Sequence, residues 1–184
     1  MRLSILIVNW NTSALLGACL RKLGTDPCFE VIVVDNASHD FDEAAFHSEF
    51  PHVHLIRNFD NAGYARGNNQ AMETAKGDYL LLLNPDTEVT EGAIESLLAF
   101  MDSHERAAAA GAKLVRPDGA IDRSVRSFPY PGPIACEFLG LSKLFRHSRF
   151  CGAYRMTTFR YDTAAEVDQP MGSATESAVP KELR

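Results

Sequence analysis

Apolar residues in this chain fall into short unbroken runs separated by stretches of helical spacing. Leu3 to Val8 (LSILIV), Glu30 to Val34 (EVIVV) and Asp78 to Leu83 (DYLLLL) are nearly continuous and aliphatic. Such runs mark strands covered on both faces, as in a parallel sheet, where neither side of the strand meets water. Val53 to Arg57 reads as a third, shorter strand between the second and fourth. Between the runs, Leu15, Leu16, Cys19, Leu20 and Leu23 recur at helical spacing after a Thr12 or Ser13 cap, and Gly24 ends that helix. A helix is expected over Phe41 to Phe50 and another over Tyr64 to Ala75. A further one, capped by Thr90, carries Ala93, Ile94, Leu97, Leu98 and Met101.

Strands alternating with helices predict a Rossmann-like α/β domain with a mainly parallel, doubly wound sheet and right-handed crossovers. Ala107 to Val115 is a fifth strand candidate. Pro117-Asp118-Gly119 signals a hairpin turn directly after it. Beyond Phe128 the alternation breaks. Pro129, Pro131 and Pro133 mark a rigid crossing, Ile134 to Phe145 reads as an amphipathic helix, and Tyr154 to Asp168 is weakly patterned. The expected organisation is a core over residues 1–128 that includes the hairpin, followed by an irregular segment over 129–184.

With 184 residues, 46% of them hydrophobic and 23% charged, the chain suits one soluble α/β domain. A formal charge of -6 argues against nucleic acid as the main partner, because neutralising phosphates needs a basic surface. The charge is unevenly spread. Residues 1–112 carry seven Lys and Arg against sixteen Asp and Glu, whereas residues 113–160 carry nine against three. The cationic stretch suits an anionic acceptor, a peripheral membrane contact, or simply a solvated face. The four cysteines lack CxxC or zinc spacing, and Cys19 and Cys28 are expected to be reduced, packed thiols. With no signal peptide in view, a cytoplasmic location is expected. The longest aliphatic run, Tyr79 to Leu83, is too short to span a bilayer.

In an open α/β sheet, ligands bind beyond the carboxyl ends of the strands, near the point where strand order reverses. Here those ends are polar each time. Strand one runs into Asn9-Trp10-Asn11, strand two into Asp35-Asn36, and strand four into Asn84-Pro85-Asp86. Solubility alone does not call for three polar clusters at three strand ends, so a binding site is expected there.

Taken together, VNWN, VVDNAS, NAGYARGNN and LLLNPDTEV, in this order and spacing, resemble glycosyltransferase family 2, and within it the rhamnosyltransferase-like bacterial members. The resemblance covers roughly the first two-thirds of the chain. It implies a GT-A fold and a nucleoside diphosphate sugar donor, UDP- or dTDP-linked, whose sugar passes with inversion to a glycan or lipid-linked acceptor in polysaccharide biosynthesis. Asp35 matches the acidic residue that contacts the base: a carboxylate accepts from the imide N–H of uracil or thymine and repels a ring nitrogen acceptor. Its alternative role is to cap the helix that follows. Asn9 and Asn11 match the first nucleotide-binding loop, where Trp10 either supports the loop or is buried against the sheet. Asn61, Gly63, Arg66 and Asn69 match a further binding segment. Arg66 could clamp diphosphate or pair with a neighbouring acid. Asn84 and Asp86 stand where the family places a metal-binding DxD motif, so Asp86 is the expected ligand for Mg²⁺ or Mn²⁺. Read on its own, Asn84-Pro85-Asp86 is a β-turn.

Inverting transfer needs a base for the acceptor hydroxyl, and in the family it belongs to an acidic pair after an acceptor-side strand. Val167 to Gly172 resembles the approach to that strand, but Ser173 to Arg184 is polar, and Asp162, Glu166 and Asp168 come too early to be the base. The expectation is a truncated, frameshifted or degenerate member that retains donor binding, with no catalytic base assigned. Two classes stay open, a transferase and a non-catalytic nucleotide-binding module. A sugar nucleotidyltransferase would want a Gly-rich, basic signature at the first strand, which Asn9-Trp10-Asn11 lacks. His52 and His54 have no third metal ligand at motif spacing. Arg123, Arg126, Arg146 and Arg149 are acceptor-side candidates on charge alone, and an apolar edge could drive self-association.

Overall fold

A computed structural model describes residues 1–145, 148, 150–156, 159–170 and 177–180. The chain forms two compact units, Met1–Ala112 with the strand near the C-terminus, and Lys113–Thr175. The division between Ala112 and Lys113 lies ahead of the Phe128 boundary expected from sequence.

The first unit is built on β1 (Leu3–Asn9), β2 (Phe29–Asp35), β3 (His54–Arg57) and β4 (Tyr79–Leu83), parallel and in the order β3-β2-β1-β4. All seven residues of β1 are buried, as its unbroken apolar run requires. Alternation divides the core in two. Leu3, Ile5, Ile7, Val31, Val33, Leu81 and Leu83 face the helices α1 (Ser13–Leu23), α2 (Glu43–Glu49) and α4 (Ala93–Ser103). Leu6, Val8, Ile32, Val34 and Leu80 face α3 (Tyr64–Thr74) through Ala71 and Met72. Each fully buried aliphatic side chain contributes about 1.5–3 kcal/mol. Helices on both faces give the doubly wound arrangement expected, with the order reversing between β1 and β4.

Several boundaries differ from expectation. In α1 the buried arc is Leu16, Gly17, Cys19 and Leu20, and Leu15 lies outside it in solvent. Helix α2 is shorter than the expected span and is capped by Asp42, whose carboxylate accepts from Ala45 N. Helix α4 begins behind Gly92, left-handed at φ 77°, rather than at Thr90. The fifth strand expected over Ala107 to Val115 is two short pieces, β5 (Ala110–Gly111) and β6 (Leu114–Val115). Its run of small side chains offers little surface to hold a longer strand against a neighbour. The sheet is instead completed by β10 (Ser177–Pro180), antiparallel to both β4 and β5, which lies within the tail read as polar. Cys28, expected to be packed, is exposed, while Cys19 is buried.

In the second unit β6 and β7 (Ile121–Asp122) form the expected hairpin, with Gly119 at φ 82° in its turn. Strand β8 (Val125–Arg126) pairs antiparallel with β9 (Gln169–Pro170). The single helix expected over Ile134 to Phe145 is broken into α5 (Pro131–Phe138) and α6 (Leu141–Leu144) by Gly140, left-handed at φ 71°. No helix among the described residues is long and apolar enough to cross a membrane.

At the amino ends of the strands, the buried Ser4 hydroxyl donates to Glu30 and accepts from Gly77 N at 2.8 Å. Glu30 also accepts from Lys76 N and from Gly77 N (3.1 Å). A Cβ on Gly77 would stand 2.5 Å from Ser4 N, so only glycine allows this approach of backbone to backbone. Burial pushes the Glu30 carboxyl up, but the hydrogen bonds from Ser4, Lys76 and Gly77 outweigh it and hold the group below its ordinary value. The stabilisation is therefore present above the unfolded value of about 4.3 and is lost as pH falls through the lower folded value. Urea unfolding from about pH 6 to about pH 3 should show the wild type losing more stability than Glu30→Gln, with the variant less stable at the upper end.

Candidate functional site

The parallel register sets three rim residues side by side: Asn9 opposite Asp35, and Asp35 opposite Arg57, at the carboxyl ends of β1, β2 and β3. Asn9 and Asp35 are both fully buried. Asn9 Nδ2 donates to Asp35 Oδ1 at 2.8 Å and to Ser38 Oγ at 3.2 Å, while its Oδ1 accepts from the Thr12 hydroxyl at 2.8 Å. The other Asp35 oxygen, Oδ2, accepts from Ser38 N at 3.1 Å and lies 3.3 Å from Arg57 Nε. Arg57 in turn lies over the Phe41 ring at 4.9 Å and has Nη1 3.6 Å from Glu43 Oε2. Asp35 and Asn9, expected to face the nucleotide, spend their polar atoms on the protein. The alternative role for Asp35 as cap of the next helix falls to Asp42.

The loops above this row are tied to one another. Asn11 (φ 54°) and Ala37 (φ 57°) are both left-handed. Asn tolerates that backbone, whereas for Ala it costs about 1 kcal/mol. The strain is held by Asn36 N donating to Asn9 O (2.9 Å), Asn11 N to Ser38 Oγ (2.8 Å) and His39 N to Asn11 Oδ1 (2.9 Å). Strain kept in this way is characteristic of binding loops. Asp40 accepts from both Ser13 N and Ser13 Oγ at 3.0 Å, so the first turn of α1 is held from the β2–α2 loop. The Ser13 N–H bond keeps the Asp40 carboxyl below its usual range.

The segment leading into α3 closes the rim. Asn61 Oδ1 accepts from Gly63 N (2.9 Å), and Gly63, at φ 82°, opens α3 in a conformation that favours glycine. Asn36 donates to Gly63 O at 3.3 Å and accepts from Asn58 Nδ2 at 2.8 Å, and Asn58 and Gln70 exchange a reciprocal pair of bonds. Gly67 lets α3 approach the sheet: a Cβ there would lie 3.0 Å from both methyls of Val8. Trp10 is exposed rather than packed on the sheet. Arg66 and Asn69 are exposed with no protein partner among the described residues, so the ion pair considered for Arg66 is not formed there. Asn84-Pro85-Asp86 is a β-turn closed by Thr87 N donating to Asn84 O at 3.1 Å, and the Asp86 side chain is exposed with no protein partner among the described residues.

Three contributors went unnoticed in the sequence: Arg57, Ser38 and Asp40. Arg57 is the last residue of a strand, so it could have been found by listing every strand end. Ser38 lies inside the VVDNAS segment, but the partners of its hydroxyl, Asn9 and Asn11, come from the end of β1 and the loop after it. His52 and His54 are exposed, and no group of three or more His, Cys, Asp or Glu among the described residues is placed to hold a metal ion. In the second unit, Arg126 Nη1 donates to Val125 O and Arg123 O. Arg146 and Arg149 lie outside the described residues. A mostly apolar hollow of about 430 Å³ lies at the opposite, amino end of the strands, lined by residues such as Leu23, Pro27 and Phe29, away from the polar rim.

The family model described as Glycosyl transferase family 2 matches residues 4–162. An N-acetylglucosaminyl-diphospho-decaprenol L-rhamnosyltransferase of Mycobacterium tuberculosis is 29% identical over 119 residues, 59% of this chain and 39% of that protein. An uncharacterized glycosyltransferase of Haemophilus influenzae is 40% identical over 104 residues, 55% of this chain and 35% of that one. The crystal structure of S. aureus TarS 1-349 in complex with UDP-GlcNAc superposes with a TM-score of 0.57 at 22% identity, covering 67% of this chain and 38% of that one. This likeness bears out the α/β, GT-A-like fold. The matched part spans little more than a third of the length of these curated relatives.

Removing Asn9 leaves the buried Asp35 carboxylate short of a donor, which is a costly defect. Asn9→Ala is expected to lower unfolding stability by about 3 kcal/mol in urea titrations, several times the effect of Asn69→Ala on the exposed face.

Proposed function

The chain belongs to glycosyltransferase family 2, and on that premise we propose that its first unit binds a nucleoside diphosphate sugar, UDP- or dTDP-linked, at the rim of β1, β2 and β4. The full protein is then an inverting transferase that passes the sugar to a glycan or lipid-linked acceptor. The observation that carries the reading is the Asn9–Asp35–Arg57 row, with Asn9 and Asp35 buried, beneath loops held by left-handed residues, beside the point where strand order reverses.

The base is read at Asp35. When the Arg57 guanidinium withdraws from Oδ2, the freed carboxylate accepts from the imide N–H of uracil or thymine; cytosine presents an acceptor at that position and is disfavoured. Trp10, Asn11, Asn61, Gly63 and Asn69 line the donor around it. Arg66, in the first turn of α3, clamps diphosphate, where the positive end of the helix dipole adds to its charge. Asp86 offers one exposed carboxylate, and this donor set fits Mg²⁺ or Mn²⁺, which commonly take one or two carboxylates and fill their remaining positions with phosphate and water. Asp86 would hold that ion, with Asn84 contacting ribose or a bound water. When bound, the ion offsets the negative charge developing on the leaving nucleoside diphosphate.

On the acceptor side, the cationic balance of residues 113–160 and the exposed apolar side chains Phe138 (88%) and Leu144 (75%) support an anionic lipid-linked acceptor met peripherally at the cytoplasmic face of a membrane. The name of the mycobacterial relative, which specifies a diphospho-decaprenol, supports the same class. Asp162 is committed to Arg160 and Asp168 to Phe128 N, and neither takes the part of base in this proposal.

Calorimetric titration with UDP, dTDP and CDP tests the base reading. UDP and dTDP should bind about tenfold or more tightly than CDP, the worth of one hydrogen bond to a charged group, and Asp35→Asn should narrow that ratio. Equal affinity of the folded protein for all three would sink it. In the same titration Mg²⁺ or Mn²⁺ should strengthen UDP binding to the wild type, and Asp86→Ala should abolish the metal-dependent gain.

A further inference from the structure

The second unit contains a pair of sulfurs for which the donor site has no use. Cys136, in the last turn of α5, is buried, and Cys151, in the turn that follows Phe150, is partly buried. Their Sγ atoms stand 2.8 Å apart. The contact is sustained by packing that does not involve sulfur. Gly132 lies one helical turn before Cys136 on the same face, and a Cβ there would stand 2.5 Å from Phe150 Cζ, so the ring next to Cys151 seats against bare helix backbone. Ser148 Oγ accepts from Phe150 N (3.3 Å) and Cys151 N (3.2 Å), which shapes the turn. Glu137, adjacent to Cys136, pairs with Arg155 from the far side of the same turn.

We propose that Cys136 and Cys151 form a reversible disulfide, a redox-modification site in the second unit whose oxidant is a low-molecular-weight disulfide such as oxidised glutathione. The exchange balances in two steps. The Cys151 thiolate attacks one glutathione sulfur, the glutathione S–S bond breaks, and the departing thiolate takes up a proton. Cys136, deprotonating as it attacks, then displaces the second glutathione from Cys151. Two cysteine thiols have lost two electrons and two protons, and one glutathione disulfide has become two thiols. The order follows from the surroundings: the hydrogen bond to Cys151, with burial adding to it, raises the Cys136 thiol above its ordinary value, while Cys151 is the more accessible sulfur. The closed bond encircles α6 and joins α5 to the turn, restricting the unfolded chain.

The test uses the intact wild-type chain in glutathione buffers of graded oxidised fraction, quenched in acid, alkylated and mapped by peptide mass. The expected result is a Cys136–Cys151 crosslinked peptide pair, lighter by two hydrogen atoms than the reduced pair and restored by dithiothreitol. Cys136→Ser should accumulate one glutathione on Cys151, whereas Cys151→Ser should leave Cys136 without one. Recovery of both residues as alkylated thiols, or of separate glutathione adducts that never close, overturns the proposal. The wild-type map decides this even if the Cys136 variant does not fold.

Discussion

Everything at the rim depends on one buried charge. Asp35 is fully buried at the end of the second strand, and a carboxylate removed from water is tolerable only when donors surround it. Those donors come from three places: the Asn9 amide on β1, the Ser38 backbone in the β2–α2 loop and the Arg57 guanidinium on β3. Because each arrives from a different segment, the charge fixes the relative position of three strand ends more tightly than apolar packing would. Hydrophobic contact is non-directional, whereas these bonds demand particular distances and angles. The left-handed backbone of Asn11 and Ala37 is affordable only above such a fixed base.

The opposite ends of the same strands are secured by different chemistry. Ser4, Glu30 and the Lys76–Gly77 backbone make a second polar clasp, linking β1 and β2 to the chain entering β4. The apolar faces between the two clasps supply most of the folding free energy but could slide in register by two residues without changing which side chains face which helices. The clasps at the two ends oppose that slip. Ser4 opposite Glu30 and Asn9 opposite Asp35 are rows of the same ladder, five residues apart, so a slip would break both together.

These facts explain what could be read from the chain and what could not. The unbroken runs at Leu3, Glu30 and Asp78 mark buried strands because a strand covered on both faces has no polar side to show. Polar clusters at the ends of those strands mark the candidate site for the same reason: polarity resumes where the cover stops. The partners of the polar atoms were not legible. The residue types of Asn9 and Asp35 suggest a ligand-facing pair, but not that the two also hydrogen-bond each other, a pairing across twenty-six positions that only the sheet register creates. Arg57 and Asp40 were missed because their significance lies wholly in long-range contacts with Asp35 and Ser13. β10 was missed because Ser177–Pro180 has little apolar pattern of its own and takes its place in the sheet from β4 and β5. Conversely, Ala107 to Val115 looked like a strand by composition and lacked the side-chain bulk to hold one.

The distribution of charge gives the rim a further constraint under the proposed function. Residues 1–112 carry sixteen acidic against seven basic residues, so a diphosphate approaching the first unit meets a net repulsive field. Arg57 does little to relieve it, since its charge is already shared between Asp35 and Glu43. That leaves Arg66, alone on the exposed first turn of α3, and whatever cation Asp86 recruits. One guanidinium does not balance a nucleoside diphosphate, and Asp86 without a cation adds to the repulsion. The same carboxylate is thus unfavourable to the proposed donor on its own and favourable once a divalent ion joins it, which makes metal and nucleotide binding mutually reinforcing rather than independent.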